Sequence, residues 1–355
     1  MSRNGGIDDL HIMLTRRCDM KCRYCFVDND MCEESDPNKI RSSMGSLLKK
    51  RLLSSNSFVT FTGGEPTLEL PSMIRLSRML SQSGCRPQLH LQTNGLCKKR
   101  VKQALGTVPF THVTISIDGS QRVHDECRID MKGQGTYERV VETARLCIRY
   151  RSEGKLRSPV AQATVTKSSL PLKECIGCIV DLGFDRITIG VVFGAKQEID
   201  YGVSPELFAG EYAGLHKDVM ESLLTESPFI DDMSIEILKD IMAPSRIKAK
   251  CGAGSTLIAV SPSGDFYPCS TLAGLGIGGA EDYEQIRTIG FFDRAGVQPG
   301  DGFCLLRTCE DRMSHLEGGD LFGQIRSQTS GFLERLTDAE LRIVEENLLR
   351  LVVDG

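Results

Sequence analysis

Six strand-like segments alternate with helix-like segments along the first 192 residues, and this alternation limits how the chain can fold. The strand patterns are short apolar or β-branched runs at 10–14, 57–62, 88–93, 111–117, 159–166 and 185–192. Helical patterns lie between them at 38–54, 71–83, 97–105, 136–152 and 171–182. Short links of this kind imply a parallel sheet with right-handed crossovers. We therefore predict an α/β fold, a partial (β/α)6 barrel, since six units are too few to close an eight-stranded barrel.

Residues that can bind a ligand or take part in catalysis follow the ends of the predicted strands. A cysteine-rich loop comes after the first strand, and Gly63-Gly64-Glu65-Pro66 comes after the second. Asn94 follows the third strand, and Ser116 and Asp118 follow the fourth. In barrels of this type the chemistry lies at the C-terminal ends of the strands. The pattern therefore predicts one functional site at that end of the sheet.

Three cysteines, Cys18, Cys22 and Cys25, lie within eight residues on the loop after the first strand. Most [4Fe–4S] clusters take four thiolates, so three leave one iron open to a small molecule. The alternative is a structural zinc ion, which takes four closed ligands, usually from two paired hooks. No second hook lies near this loop, and the spacing therefore favours a cluster.

The spacing C-x3-C-x-aromatic-C, with Tyr24 in the aromatic slot, resembles the signature of the radical S-adenosylmethionine (radical SAM) enzymes. The resemblance implies that the amino and carboxylate groups of S-adenosylmethionine chelate the open iron. One electron from the cluster then splits the sulfonium into methionine and a 5′-deoxyadenosyl radical. The chain is thus expected to be a radical SAM enzyme.

Gly63, Gly64 and Glu65 resemble the family's GGEP motif, which binds the amino group of S-adenosylmethionine. Two glycines allow a backbone to approach a ligand closely, and a glutamate can pair with an ammonium group. The alternative is an ordinary turn after a strand. The position of the motif, one strand beyond the cysteine loop, favours ligand binding.

Ser116 and Arg128 resemble a serine–arginine pair of the peptide-modifying branch, which implies contacts to the carboxylate and ribose end of S-adenosylmethionine. An arginine fork suits a carboxylate because it donates two parallel hydrogen bonds; the alternative is a surface arginine. Asp118 is expected either to bond ribose hydroxyls or to cap the next segment. Asn94 resembles a family position near the ligand, although Asn-Gly is also a common turn. The candidates for contacting adenine are Tyr24 and the backbone around Val191.

A second cysteine set follows at Cys251, Cys269, Cys304 and Cys309. The first two flank a predicted β-hairpin with its turn at Pro262-Ser263-Gly264, which resembles the opening of the SPASM and twitch auxiliary domains. Four thiolates complete one [4Fe–4S] cluster with no open iron. We therefore expect a twitch-like domain with one auxiliary [4Fe–4S] cluster; a four-cysteine zinc site is the alternative.

We expect four regions along the chain: the barrel over 1–200, a helical linker over 201–250, the auxiliary domain over 251–312 and a C-terminal helical segment over 313–355. An amphipathic pattern predicts a helix over 331–353. Cys175 and Cys178 lie in an apolar helix pattern, where buried cysteines are common, so core packing is favoured over a redox pair. The other cysteines without an assigned role are Cys32, Cys85, Cys97, Cys127 and Cys147.

Composition limits the cellular compartment and the classes of binding partner that we expect. The net charge of −4 gives no reason to expect nucleic acid or an anionic membrane as a partner, and no apolar run is long enough to span a bilayer. Fourteen cysteines without an N-terminal apolar signal favour a reducing compartment and metal ligation. We expect a cytoplasmic protein.

The resemblance implies oxidative modification of a ribosomally made peptide or protein, by crosslinking or dehydrogenation. A reducing partner such as flavodoxin or ferredoxin would supply the electron. The stretch before the first strand is too short for a peptide-recognition domain, so leader binding is expected on another surface or on a separate protein. The alternatives are a sulfatase-maturing enzyme, against which Thr62 stands where those enzymes have glutamine, and a small-molecule dehydrogenase.

Overall fold

The computed structural model describes residues 6–27, 35–192, 200–242, 252–276, 278–288 and 321–353, and they form two compact units. The first unit takes in the described parts of 1–114, 130–133 and 251–303. The second takes in those of 115–129, 134–250 and 304–355. Strand β4 (His112–Ser116) runs from the first unit into the second.

Among its described residues, the first unit contains five further strands and five helices. Its strands are β1 (Asp9–Met13), β2 (Phe58–Thr62), β3 (Gln88–Thr93), β8 (Leu257–Val260) and β9 (Phe266–Tyr267). Its helices are α1 (Pro37–Lys49), α2 (Leu70–Gln82), α3 (Lys98–Thr107), α9 (Ser270–Leu275) and α10 (Tyr283–Thr288). The expected α/β fold is confirmed: β1 pairs in parallel with β2, and β2 pairs in parallel with β3.

The two faces of this sheet differ in character. Strand side chains alternate between faces, and one face carries fully buried apolar groups, among them Leu10, Phe61 and Leu91. On the opposite face, Thr60 Oγ1 lies 3.2 Å from His90 Nδ1, and His90 Nε2 lies 2.7 Å from Thr114 Oγ1. The apolar face therefore supplies the core, and the polar face is held by hydrogen bonds between neighbouring strands.

The predicted hairpin of β8 and β9 forms and joins the sheet of the first unit. β8 pairs in parallel with β1, with Leu10 opposite Ile258 and Ile12 opposite Val260, and β9 pairs antiparallel with β8. An open sheet edge leaves backbone groups unpaired, and β8 satisfies that edge of β1. The hairpin, which we expected within a separate domain over 251–312, thus lies in the same compact unit as β1.

The second unit contains the remaining strands and helices. Its strands are β5 (Ser158–Val165), β6 (Arg186–Val191) and β7 (Ile230–Asp231), paired in parallel in that order. Its helices are α4 (Gln121–Cys127), α5 (Tyr137–Ser152), α6 (Leu172–Asp181), α7 (Pro205–Ser222), α8 (Asp232–Met242), α11 (Leu321–Glu334) and α12 (Asp338–Leu348). Side chains of α7, α8 and α12 share one apolar core that includes Val219, Leu238 and Val344. The segments we expected as a linker and a C-terminal extension therefore pack together.

The single helix predicted over 331–353 is wrong in one respect, because α11 ends at Glu334 and α12 begins at Asp338. Thr337 accepts a hydrogen bond from the backbone N–H of Glu340, and the Glu340 carboxylate accepts one from Thr337. This capping box starts a new helix inside a continuous apolar pattern. A π-helical turn, Leu349–Val353, follows α12.

Among the described residues, no helix combines the length and the apolar character that crossing a lipid bilayer requires.

Candidate active site

The three cysteines of the predicted cluster lie on the loop that leaves β1, and each is half-buried. The backbone N–H of Cys25 donates to the carbonyl of Cys22 at 3.1 Å, which closes a tight turn. Burial raises the pKa of the Cys18 thiol to about 11. The sulfur also accepts hydrogen bonds at 3.4 Å from the N–H of Met20 and from Nδ2 of Asn94. A metal binds the thiolate form of cysteine, so binding at Cys18 would release the thiol proton.

The two glycines after β2 fit the backbone in front of the cysteines. The N–H of Gly64 donates to the carbonyl of Thr15 at 2.7 Å. A Cβ on Gly63 would lie 2.3 Å from that carbonyl, and one on Gly64 would lie 2.3 Å from the carbonyl of Arg17. Gly63 also has φ +142°, a backbone conformation that side chains rarely adopt. The close approach that requires glycine is therefore to the cysteine loop itself.

The Glu65 carboxylate is fully buried and accepts hydrogen bonds from the chain on both oxygens. Oε1 accepts from the backbone N–H of Thr67 at 3.0 Å and from its hydroxyl at 2.6 Å. The Thr93 hydroxyl lies 2.8 and 3.0 Å from the two oxygens, and the N–H of Asn94 donates to Oε2 at 2.8 Å. Burial raises the pKa of this carboxyl, and the donors from Thr67, Thr93 and Asn94 act against that rise. Glu65 thus ties its loop to the end of β3.

Asn94 extends this network to the cysteine loop. Its Nδ2 donates to Oδ1 of Asp19 at 2.8 Å in addition to the Cys18 sulfur. Arg100, on α3, pairs with the other oxygen of Asp19. Sequence reasoning did not select Asp19 or Arg100. The sequence offered two signals for Asp19 and Arg100, their charges and their position inside or beside known motifs. Only the fold brings the two side chains within bonding distance of each other.

In the second unit, Asp118 and Arg128 form a buried ion pair. Nε and Nη2 of Arg128 donate to the two carboxylate oxygens at 2.9 and 3.0 Å. The backbone N–H of Thr164 donates to Asp118 at 2.9 Å, and Nη2 of Arg128 lies 3.4 Å from the Thr164 hydroxyl. The Arg128 fork binds Asp118 in this structure, and its expected contact to the carboxylate of S-adenosylmethionine stays a prediction.

Comparisons with known proteins agree with the cysteine spacing and the sheet. Residues 12–160 match the family model described as the Radical SAM superfamily. This chain contains a radical SAM domain. The match includes the cysteine loop, the GGEP motif and the Asp118–Arg128 pair, and it confirms the resemblance inferred from the cysteine spacing.

Two curated relatives differ in how much of the chain they match. The GTP 3′,8-cyclase of Streptomyces coelicolor is 30% identical over 112 residues, which cover 31% of this chain and 33% of that protein. The chain thus spans about a third of that protein. The cysteine-type anaerobic sulfatase-maturating enzyme of Clostridium novyi is 22% identical over 278 residues, covering 71% of this chain and 70% of the relative.

Solved structures share the fold over most of the chain. Native anSMEcpe with bound AdoMet and Cp18Cys peptide superposes with a TM-score of 0.70 at 18% identity, covering 95% of this chain and 99% of that one. Streptococcus suis SuiB bound to precursor peptide SuiA gives 0.57 at 18% identity, covering 84% and 66%. The likeness establishes the fold, a parallel sheet of the radical SAM partial-barrel type.

The radical SAM family implies a [4Fe–4S] cluster and S-adenosylmethionine, and the donors on this loop suit the cluster. Three separate half-buried thiols share one loop, and two N–H groups point at the Cys18 sulfur, as hydrogen bonds to cluster sulfurs do. Within the described ranges, no three His, Cys, Asp or Glu side chains are grouped to hold a single metal ion. The three thiols and the two N–H donors on this loop are a donor set that fits a cluster taking one thiolate at each of three irons.

Of the other predicted ligand contacts, Ser116 and Val191 lie at strand ends and Tyr24 lies on the loop after β1. Tyr24 is buried on the cysteine loop. Ser116 is half-buried at the end of β4, and Val191 is half-buried at the end of β6. Their roles toward S-adenosylmethionine stay predictions.

The loop after β4 is shaped by a cysteine to which we assigned no site role. The Cys175 thiol, on α6, donates to the backbone carbonyl of Asp118 at 2.9 Å. A Cβ on Gly119, which has φ +109°, would lie 2.3 Å from the Cys175 sulfur. Cys175 is buried, as the helix pattern predicted, and its thiol also holds the segment that carries Asp118.

One of the four cysteines predicted to hold an auxiliary cluster is described. Cys269 is half-buried between β9 and α9, in the unit that contains the cysteine loop. The other three, which lie outside the described residues, are Cys251, Cys304 and Cys309. The auxiliary ligand set stays a prediction.

Proposed function

We propose that this radical SAM enzyme oxidatively modifies a side chain of a ribosomally made peptide or protein, by crosslinking or dehydrogenation. The observation that carries the proposal is the fold match to anSMEcpe with bound Cp18Cys peptide, which extends over 95% of the chain, past the radical SAM domain itself. SuiB bound to precursor peptide SuiA is a second peptide-bound neighbour of the same fold. The match to a GTP cyclase is restricted to about a third of that protein and therefore favours no nucleotide substrate.

In this proposal Cys18, Cys22 and Cys25 would hold the cluster and leave one iron for S-adenosylmethionine. When bound, the pair supplies a 5′-deoxyadenosyl radical that removes a hydrogen atom from an unactivated carbon. The chain positions these groups: the glycine pair seats the cysteine loop, and Asn94 orients Cys18 and Asp19.

The S-adenosylmethionine contacts expected from the motifs are adjusted by the hydrogen bonds of the structure. In the first unit, Glu65 accepts a hydrogen bond from the N–H of Asn94, so we assign its carboxylate to shaping the ligand site and the direct contacts to the backbone of Gly63 and Gly64. In the second unit, Asp118 accepts hydrogen bonds from Arg128 and Thr164, and the ligand contact expected from Ser116 stays a prediction. Arg128 acts on the ligand through the segment that it fixes with Asp118.

We assign Cys251, Cys269, Cys304 and Cys309 to one auxiliary [4Fe–4S] cluster. Such a cluster would supply an acceptor for one electron in a net two-electron oxidation of the substrate. A flavodoxin or ferredoxin would supply the starting electron, and leader recognition would fall to another surface or a separate protein. Fourteen cysteines favour a reducing, cytoplasmic setting.

A second candidate function is sulfatase maturation, since an anaerobic sulfatase-maturating enzyme matches 71% of this chain in sequence. Against it stand Thr62 before the GGEP motif and four cysteines in the auxiliary region. Both candidates share the radical chemistry and differ only in the peptide.

Anaerobic reconstitution tests the proposal and separates the candidates. We expect a brown protein with about eight irons per chain that converts S-adenosylmethionine to 5′-deoxyadenosine after reduction. A peptide encoded beside the gene should lose two hydrogen atoms by mass spectrometry, whereas modification of only a sulfatase-derived cysteine peptide would select the second candidate. The Cys22→Ala variant should form no deoxyadenosine. Deoxyadenosine formation at the unaltered rate in that variant, or zinc in place of iron in the reconstituted protein, would overturn the proposal.

A further inference from the structure

The side-chain amide of Asn94 is held by the protein in one orientation, and one of its partners is the Cys18 sulfur. Asn94 follows β3 directly and is 8% exposed. Its Oδ1 accepts a hydrogen bond from the backbone N–H of Leu96 at 2.9 Å. Its Nδ2 lies 2.8 Å from Oδ1 of Asp19 and 3.4 Å from Sγ of Cys18. A primary amide nitrogen carries two N–H groups, so each of these two acceptors receives one of them.

The Asp19 carboxylate directs the amide toward the sulfur, and Arg100 holds that carboxylate. Asp19 accepts the Asn94 hydrogen bond on Oδ1, and Arg100 of α3 pairs with Oδ2. Nε of Arg100 also donates to the Thr67 hydroxyl at 3.3 Å, and this hydroxyl donates to Glu65 at 2.6 Å. Arg100 therefore fixes the carboxylate through the oxygen that Asn94 does not use, and it balances the negative charge beside the cysteine loop.

A hydrogen bond to a thiolate ligand is one of the factors that set the reduction potential of an iron–sulfur cluster. Reduction adds one negative charge, part of which resides on the sulfurs. An N–H donor stabilises the more negative state more strongly and thereby raises the potential. The other donor to the Cys18 sulfur is the backbone N–H of Met20, which a substitution does not remove. The Asn94 amide is the side-chain donor, and its effect can therefore be measured by mutation.

We propose that Asn94, aimed by the Asp19–Arg100 ion pair, raises the reduction potential of the radical SAM cluster through its hydrogen bond to Cys18. Asp19 and Arg100 are positioning residues, because they act on the sulfur through the amide. These side chains all belong to the first unit. The higher potential eases the one-electron reduction that must precede cleavage of S-adenosylmethionine. The inference rests on the proposed function in placing a cluster on the cysteine loop, and it is independent of the peptide substrate.

Potentiometry on the reconstituted holoenzyme, without substrate, measures the effect of Asn94→Ala. Electron paramagnetic resonance gives the ratio of reduced to oxidised cluster at each potential, and iron is quantified in the same samples. The signal of the radical SAM cluster is recognised by its change when S-adenosylmethionine is added. We expect the ratio at a fixed potential to fall about tenfold, because a hydrogen bond to a charged group contributes on that order. For one electron, this factor corresponds to a midpoint about 59 mV more negative.

A second variant removes the ion pair without changing the net charge. Asp19→Ala combined with Arg100→Met loses one charge of each sign and leaves the Asn94 amide without its guide. We expect the ratio to fall by up to the same factor, and the further addition of Asn94→Ala should cause no additional fall. Effects that multiply in the triple variant would overturn the proposal, because the ion pair would then act independently of the amide.

Two controls match the groups that these variants lose. Asn56→Ala removes an exposed amide from the turn before β2, and Lys99→Met removes an exposed charge of α3 beside Arg100. Both should keep the wild-type ratio. A wild-type ratio in Asn94→Ala with its full iron content would refute the proposal.

Iron content separates a change in potential from a loss of the loop. If Asn94→Ala alone loses its cluster, the ion-pair variant decides, and an unaltered ratio there would refute the proposal. Loss of cluster iron in both variants would also refute it, since the network would then hold the loop and not set the potential. A wild-type protein that binds no iron would instead refute the proposed function.

Discussion

Arg128 holds Asp118 with two parallel hydrogen bonds, of 2.9 Å from Nε and 3.0 Å from Nη2. Both side chains are buried, with 6% and 2% exposed. Taking two charges out of water is costly, and a buried partner left alone is costlier still. The pair therefore fixes the segment that follows Ser116, the last residue of β4. Neither side chain of the pair can exchange its partner freely.

Replacing Asp118 by asparagine should destabilise the protein by about 3 kcal/mol, because Arg128 would remain buried without a carboxylate. The measurement is chemical denaturation of the variant and the wild type. Glu153→Gln is the matched control, since Glu153 pairs with Arg149 and Lys155 on the exposed surface, and it should leave stability unchanged. Equal stability of Asp118→Asn and the wild type would contradict the ion-pair assignment.

Gly64→Ala should disrupt the cysteine loop, because the new Cβ would lie 2.3 Å from the carbonyl of Arg17 and 2.4 Å from that of Arg16. Backbone atoms cannot yield as a flexible side chain can, so we expect the variant to lose most of its radical SAM cluster iron on reconstitution. Gly106→Ala, on α3 with no atom within 4 Å of the new Cβ, is the control and should keep its iron. Full iron in both variants would show that the glycine pair is not needed to seat the loop.

Cys175 should resist alkylation in the folded protein. Burial raises the pKa of its thiol to about 12, and the thiolate is the reactive form. We expect iodoacetamide at neutral pH to label the half-buried Cys97 well before Cys175, with the sites read by peptide mass spectrometry. Rapid labelling of Cys175, or a Cys175–Cys178 disulfide in the isolated protein, would instead indicate a redox pair.

Local patterns were sufficient to predict most of the fold. Strand β3 (Gln88–Thr93) has the predicted bounds, and the predicted helix over 136–152 is Tyr137–Ser152 in the structure. Periodicity and glycine-marked ends are properties of neighbouring residues, which a sequence shows directly. The short helix α4 (Gln121–Cys127) was missed because seven residues carry too little periodic signal.

Side-chain partners in the site were harder to predict, since they depend on contacts between distant residues. The motifs predict Glu65 and Arg128 as ligand contacts, and this stays a prediction; what they did not predict is that Glu65 bonds Thr93 and that Arg128 bonds Asp118. The sequence did not indicate a role for Arg16, although its side chain bonds the carbonyls of Ala273 and Gly274, which are 257 and 258 positions further along the chain. A charge beside a motif has several possible partners, and only the packed sheet selects one.

The stability of the second unit should fall between pH 6.5 and pH 4 because of His216. This histidine is 3% exposed, and burial lowers its pKa from 6.5 to about 4. Its ring nitrogens lie 2.8 Å from the hydroxyls of Ser234 and Thr329. In that pH range the unfolded chain takes up a proton that the folded chain does not, so the stabilising contribution is complete above about pH 6.5 and is lost as the pH falls toward 4.

The measurement is denaturant unfolding at several pH values for the wild type, His216→Gln and Lys217→Gln. Within this window, the free energy of unfolding should change less steeply with pH in His216→Gln than in the wild type. The difference should reach up to about 1.4 kcal/mol per pH unit, the slope that one proton produces. Lys217→Gln changes an exposed neighbour on α7 and should keep the wild-type slope. Identical slopes in all three proteins would mean that His216 takes up its proton as readily in the folded chain as in the unfolded one.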